Sequence, residues 1–202
     1  IHDVIEWMTC NKLKLNDDKT ECMVVGTRQR LSVSSSTSMS VGGNEIAFKP
    51  HVKNLGVFLD SQLCMERQVS YLCSSAYYEL RRISMIRHFL TEKAAAQLVC
   101  SRILSRLDYC NSLLAGITSE QLDRIQLVQN DAARLVLRKK RSDHVTPLLK
   151  YLHWLPIRQR IDFKIATLAY RHFDQSLPSY LSDSLQIKIP VVDTRLSSEK
   201  SL

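Results

Sequence analysis

The stretch TSEQLDRIQLVQNDAARLVLRKKR, Thr118 to Arg141, decides the fold. Leu122, Ile125, Val128, Ala132, Leu135 and Val136 recur at three- and four-residue steps, the period of a helix with one buried face. Thr118 precedes Gln121 by three residues, the spacing of a capping box, in which each side chain accepts the other residue's orphan backbone N–H. Arg138-Lys139-Lys140-Arg141 closes the helix. Cations in a last turn suit the negative end of the helix dipole, and a run of them also suits a phosphate backbone.

The same period extends outward from that helix. Val99, Ile103 and Leu107, and likewise Ala96, Cys100 and Leu104, recur at i+4 and predict one helix from about Glu92 to Leu114, ended by Gly116. Pro147 and Pro156 suit first-turn positions of a short helix and a longer one, the latter with Ile157, Ile161, Ile165 and Leu168 in line. Trp154 reads as an anchor packing a helix start on the bundle. From Ser61 onward Gly and Pro are nearly absent until Pro147, and the chain reads as helical until it thins into a polar tail past Pro178.

Upstream, Ile1 to about Lys14 predicts a helix of about three turns with Val4, Ile5 and Met8 as its stripe. Asn16-Asp17-Asp18 breaks it, and Thr20 to Val25 is a beta-prone run. Arg28 to Ser40 is serine-rich and reads as a surface loop. Val41-Gly42-Gly43-Asn44 turns into a strand from Glu45 to Phe48, and Val52 to Leu59 reads as a third strand. Thr20 to Asp60 is therefore expected to form one small antiparallel sheet, and the fold class is α+β, mostly α.

At 202 residues, with 45% hydrophobic and 24% charged residues, the chain can build a core, which excludes whole-chain disorder. No run approaches the 18 or more apolar residues of a bilayer span and no signal pattern opens the chain, so an intracellular, soluble protein with no membrane partner is expected. The six cysteines show no Cys-x-x-Cys pair and read as free core thiols. Net charge is +8, with 18 of the 28 Lys and Arg but only 10 of the 20 Asp and Glu between Ser61 and Gln175, so the whole excess lies there. That footprint fits a surface facing a polyanion, nucleic acid above all, and equally a solvated helix face.

Recognisable catalytic chemistry is absent from the sequence. It contains no Gly-rich phosphate loop, His-Glu-x-x-His or Gly-x-Ser-x-Gly, and no nucleophile, base and stabiliser can be assembled into an independent enzyme. Asp17-Asp18 reads as a solvated turn, not a two-metal site. His88, His144 and His153 read as surface or capping histidines, and Tyr77, Tyr78 and Tyr109 as core residues rather than base-stacking platforms.

Five phrases together resemble one family. Trp7 to Gly26, WMTCNKLKLNDDKTECMVVG, is similar to the stretch just after the catalytic hairpin of reverse transcriptases from non-long-terminal-repeat, jockey-like (LINE-type) retrotransposons. Leu55 to Asp60 (LGVFLD), Ser105 to Leu114 (SRLDYCNSLL), Val128 to Leu135 (VQNDAARL) and Leu152 to Ile157 (LHWLPI) with Arg160-Ile161 and Phe163-Lys164 resemble the segment those polymerases carry after the palm. Coverage runs from about Ile1 to Leu185.

The resemblance implies that residues 1–60 are the end of a palm, 61–185 a helical thumb and its extension, and 186–202 a polar tail. It implies a fragment of an RNA-directed DNA polymerase, whose fingers and metal-binding palm half would be partners supplied by the rest of the enzyme. Magnesium belongs to the complete polymerase, and no metal site is expected in this chain. Lys19 matches a lysine near the leaving pyrophosphate, suited to act as a general acid in a complete enzyme only. Leu55-Gly56 matches the primer-grip hairpin. Arg81, Arg82, Arg134, Arg138, Lys139, Lys140 and Arg141 would hold template-primer duplex, or an RNA-DNA hybrid, through its phosphates. The alternative is a helical protein-interaction module that does not bind nucleic acid.

Overall fold

The structure is a computed structural model that describes residues 2–14, 16, 19–33, 37–174 and 177–184. The Asp17-Asp18 turn and the polar tail at 186–202 expected from the sequence lie outside the described residues. Helix dominates, with two small antiparallel sheets near the start, as an α+β, mostly α chain requires. Helices α1 (His2–Cys10) and α2 (Arg28–Val33) precede and flank the first hairpin region, and α3 (Glu66–Ile86) opens the helical part. α4 (Glu92–Val99), α5 (Ser105–Asp108), α6 (Ser119–Leu137), α7 (Val145–Tyr151), α8 (Ile157–Phe173) and α9 (Ser179–Ser182) follow. Among the described residues no helix is long and apolar enough to cross a membrane.

The expected single sheet is two separate hairpins. β1 (Ser38–Val41) pairs with β2 (Asn44–Ala47) around Gly42-Gly43, and β3 (His51–Asn54) with β4 (Val57–Asp60) around Leu55-Gly56. The run Val52 to Leu59, expected as one strand, therefore folds back on itself. Both turn residues are left-handed, with φ of 46° at Leu55 and 87° at Gly56, the pattern whose twist matches a two-residue hairpin. Thr20 to Val25 forms a single parallel bridge, Cys22 with Phe48, rather than a strand, because beta propensity without a partner ladder does not fix a strand. α2 occupies part of the stretch expected to be a loop. Thr27 Oγ1 accepts the Arg30 N–H at 3.4 Å and caps it.

The chain divides into two compact units, Ile1–Arg82 with Ile117–Val128, and Ile83–Gly116 with Gln129–Leu202. The division falls inside α3 and α6. In the first unit the second hairpin is tied to the start of α3. The Phe58 N–H donates to Gln68 Oε1 at 3.0 Å, and the Phe58 and Tyr71 rings meet edge-on at 5.2 Å. Asp60, the last residue of β4, accepts the backbone N–H groups of Gln62 and Cys64 on Oδ1 at 3.1 and 2.9 Å, and that of Met65 on Oδ2 at 2.8 Å. Burial pushes the Asp60 carboxyl up, but its bonds to Cys64, Met65 and Gln62 outweigh that and leave it below its ordinary value. The start of α6 joins in through Gln121 Nε2 on Cys64 O at 3.0 Å and Arg124 Nη2 on Ser70 Oγ at 3.1 Å. The capping box forms as read, Thr118 N–H to Gln121 Oε1 at 3.2 Å and Gln121 N–H to Thr118 Oγ1 at 3.3 Å.

In the second unit the helix expected from Glu92 to Leu114 is interrupted. α4 passes through a π-helical segment, Cys100–Leu104, into α5, and a 3₁₀ turn, Asn111–Leu114, follows. The buried row Ala95, Val99, Ile103, Leu107 steps by four residues, which drifts about 40° per step on an ordinary helix. The wider π turn absorbs that drift, so Val99, Ile103 and Leu107 stay inward while Cys100, from the other expected row, is exposed. Gln129 is fully buried and donates from Nε2 to Leu155 O at 2.8 Å. Trp154 is buried as expected, whereas the α8 row is buried only at Ile157 and Ile161, with Ile165 exposed.

Two expectations about burial fail. Tyr77, Tyr78 and Tyr109 are 41%, 63% and 51% exposed: α3 turns Val69, Leu72, Ala76 and Leu80 inward so that Tyr77 and Tyr78 fall off that row, and Tyr109 lies just past the end of α5. All six cysteines are free, yet none is buried: Cys10, Cys64 and Cys100 are exposed and the other three half-buried.

Candidate nucleic-acid interface

α6 ends in a turn that sets up the basic run. The Lys139 N–H bonds to Arg134 O at 2.9 Å and the Arg138 N–H to Leu135 O at 3.4 Å, the paired bonds of a Schellman motif. Arg138 fills the left-handed position of that motif, φ 52°, where glycine is usual. The chain then closes a second small turn, with Asp143 Oδ2 accepting the Lys140 N–H at 2.9 Å. Arg138, Lys139, Lys140 and Arg141 are all exposed.

The cations of the second unit divide by what their side chains already do. Arg87 is buried, 8% exposed, and caps the end of α6 from outside it: Nε donates to Leu135 O at 2.9 Å, Nη2 to Val136 O, and Nη1 to Leu90 O at 2.8 Å. Burial first, and the nearby Arg138 charge second, pull its pKa down. Arg134, expected at a phosphate, is 17% exposed, pairs with Asp131 at 3.2 Å and donates to Asp143 O at 3.3 Å. Arg138 reaches back from Nη2 to Arg87 O and His88 O, both at 3.3 Å. Lys139, Lys140 and Arg141 have exposed side chains with no such commitment among the described residues.

The other expected residues lie in the first unit. Arg82 is exposed, 3.6 Å from buried Glu79 and 5.7 Å from the centre of the Tyr78 ring, and Arg81 beside it is exposed too. Leu55 stands 83% exposed at the tip of the second hairpin, next to Gly56. Lys19 is exposed, its N–H on Asn16 O and Oδ1, both at 3.2 Å. Each unit thus carries part of the expected set: Lys19, Leu55, Gly56, Arg81 and Arg82 in the first, and Arg134 with Arg138 to Arg141 in the second.

No protein family, curated protein or solved structure matches the chain.

Among the described residues no group of three or more His, Cys, Asp or Glu could hold a metal ion. Two residues with structural weight escape the sequence reading. Asp60 appears there only as the end of the expected sheet and of the LGVFLD phrase, although an Asp readily accepts the backbone N–H groups of the residues that follow it in a turn. Arg87 enters only as one unit of the charge excess, and nothing local marks it as the cap of a helix some fifty positions away in the chain.

Proposed function

We propose that the chain is the end of the palm and the thumb of a non-long-terminal-repeat retrotransposon reverse transcriptase, and that it grips template-primer nucleic acid without itself transferring nucleotides. The observation that carries this reading is the exposed run Lys139, Lys140 and Arg141, which follows a helix end whose other cations are engaged internally. Phosphate contacts of this kind are independent of sequence and permit sliding, as a polymerase thumb requires. The five-phrase resemblance supplies the family, and an intracellular site, nuclear or cytoplasmic, follows from the partner. Lys19 is assigned a role only in the complete enzyme.

The test is binding of the purified chain to a labelled RNA-DNA hybrid across a salt series. Replacing Lys139, Lys140 and Arg141 together by Ala should weaken binding and flatten the slope of log K against log salt by about 2 to 3. An unchanged slope removes the run from the interface. A second reading, a helical protein-interaction module, is favoured by the aromatic residues that α8 leaves exposed: Phe163 at 65% and Tyr170 at 67%. Partner binding that ignores salt, in a chain that ignores the hybrid, would establish that reading instead.

A further inference from the structure

The outer face of α3 carries cations and rings in one line. Arg67, Tyr71, Ser74, Tyr78, Arg81 and Arg82 succeed one another at three- and four-residue steps and are all exposed. At 3.6 residues per turn these steps keep them in a stripe about 100° wide, opposite the buried Val69, Leu72, Ala76 and Leu80. The acidic residues of α3, Glu66 and Glu79, fall outside that stripe, and Glu79 is buried where it braces Arg82 at 3.6 Å. Tyr78 is 63% exposed, with the Arg82 guanidinium 5.7 Å from its ring centre. The whole stripe lies in the first unit.

The second hairpin adds charge at the start of the stripe. Lys53 Nζ lies 5.1 Å from the centre of the Phe58 ring and 5.5 Å from that of Tyr71, and Arg67 Cζ lies 5.0 Å from Phe58. Two cations on one ring are at most about 10 Å apart, close to the screening length at physiological salt, and so repel. Among the described residues neither has a carboxylate partner, and Arg67 bonds instead to the His51 ring. The negative faces of the rings hold these charges in place without neutralising them. An anion that bridges Lys53 and Arg67 removes their repulsion.

We propose that this face binds a single-stranded nucleic acid, with its phosphates on Lys53, Arg67 and Arg82 and its bases stacked on Tyr71 and Tyr78. A duplex spends the faces of its bases on one another and offers a protein phosphates and groove edges, whereas a single strand leaves those faces open. Exposed rings set between cations therefore match a single strand and not the hybrid. The two tyrosines stand about 10 Å apart along the axis, and Arg67 to Arg82 spans about 22 Å, room for about four nucleotides, the short end of single-strand sites. Stacking accepts any base, so no sequence preference is expected. The inference goes beyond the grip on a hybrid, since this face lies in the other unit from Lys139, Lys140 and Arg141 and needs none of them.

The test is fluorescence anisotropy of the whole chain with labelled strands of about ten nucleotides, one of deoxythymidine, one of uridine and one of abasic sugar-phosphate. The RNA-DNA hybrid is titrated in parallel, and circular dichroism is the folding control. The thymidine or uridine strand should bind at least about tenfold more tightly than the abasic one. Tyr78→Ala should weaken it by about fivefold or more, Tyr78→Phe should keep it, and neither should move hybrid affinity by more than about twofold. Lys53→Gln with Arg67→Gln should flatten the slope of log K against log salt by about 1.4, the value for two phosphates of a single strand. The tighter of the two base-bearing strands names DNA or RNA as the ligand, and equal affinities name single strands of either kind. Hybrid binding responds to Lys139, Lys140 and Arg141 and strand binding to Tyr78, so the two readings fail separately. The proposal is overturned if folded protein binds no strand at about 100 µM, holds the abasic strand as tightly as the others, or shows no response to Tyr78→Ala. Polyglutamate that displaces the strand as readily as unlabelled strand does would make this an acidic-protein surface and overturn it too.

Discussion

Asp60→Ala should destabilise the chain by about 2–3 kcal/mol, a figure built from the three bonds its carboxylate accepts. The Met65 N–H, 2.8 Å from Oδ2, belongs to a residue only 3% exposed, so its loss strands a donor away from water at a cost of about 1–3 kcal/mol. The N–H groups of Gln62 and Cys64 belong to exposed residues and turn to water, so each contributes nearer 0.5 kcal/mol after solvent screening. A partial offset comes from Leu63 and Met65, at φ 54° and 61°, which relax once the carboxylate no longer holds them there. Asp60→Asn keeps one acceptor oxygen, so it should cost about half as much. Urea unfolding followed by circular dichroism at neutral pH measures both. Because the folded-state carboxyl lies below its ordinary 3.8, its contribution is complete above that value and is lost as pH falls through the folded pKa. The gap between the native chain and Asp60→Asn should accordingly close on acidification below about pH 3.8. The reasoning is refuted if Asp60→Ala unfolds within about 0.5 kcal/mol of the native chain, or if the gap widens on acidification.

Arg87→Met should cost about 2–4 kcal/mol, because it removes the donor to two carbonyls at the end of α6 and to that of Leu90, and Arg87→Lys should recover only a fraction since an ammonium cannot span them. Thermal unfolding of both variants decides this, and equal behaviour of Lys and Arg would show that charge alone matters. Lys12→Gly and His153→Gly should each stabilise by about 0.5–1 kcal/mol by relieving left-handed backbone at φ 57° and 54°. Loss of stability in both would mean that their side chains hold the helix ends.

These sites show where the sequence is transparent and where it is opaque. The capping box at Thr118 and Gln121, the buried Trp154 and the mostly helical class were all readable, because each follows from a short-range spacing rule. Helix ends were not. α1, α6 and α7 finish with the same pair of bonds, with Lys12, Arg138 and His153 in the position where glycine usually marks the stop. The chain has five glycines in all, so the usual punctuation is missing and the left-handed residues carry no local sign. The hairpin at Leu55-Gly56 was half-visible: its Gly suggests a turn, but the flanking residues read as one continuous strand. The π segment was hidden for a related reason, since an i+4 row looks the same whether the helix drifts or widens to meet it. In the candidate interface, residue type placed the cations and could not reveal that Arg87 and Arg134 are committed to carbonyls and a carboxylate.

The interleaving of the two units has a consequence for how the chain is made. A ribosome delivers Ile1 to Arg82 first, but the piece that completes that unit, Ile117–Val128, emerges only after all of Ile83–Gly116. At about 5–20 residues per second the second hairpin and the start of α3 wait a few seconds for Gln121 and Arg124 to reach Cys64 and Ser70. During that interval the bonds of Gln121 to Cys64 and of Arg124 to Ser70 are missing, and nascent chains stalled before Ile117 should be the ones that a holdase chaperone or a protease captures.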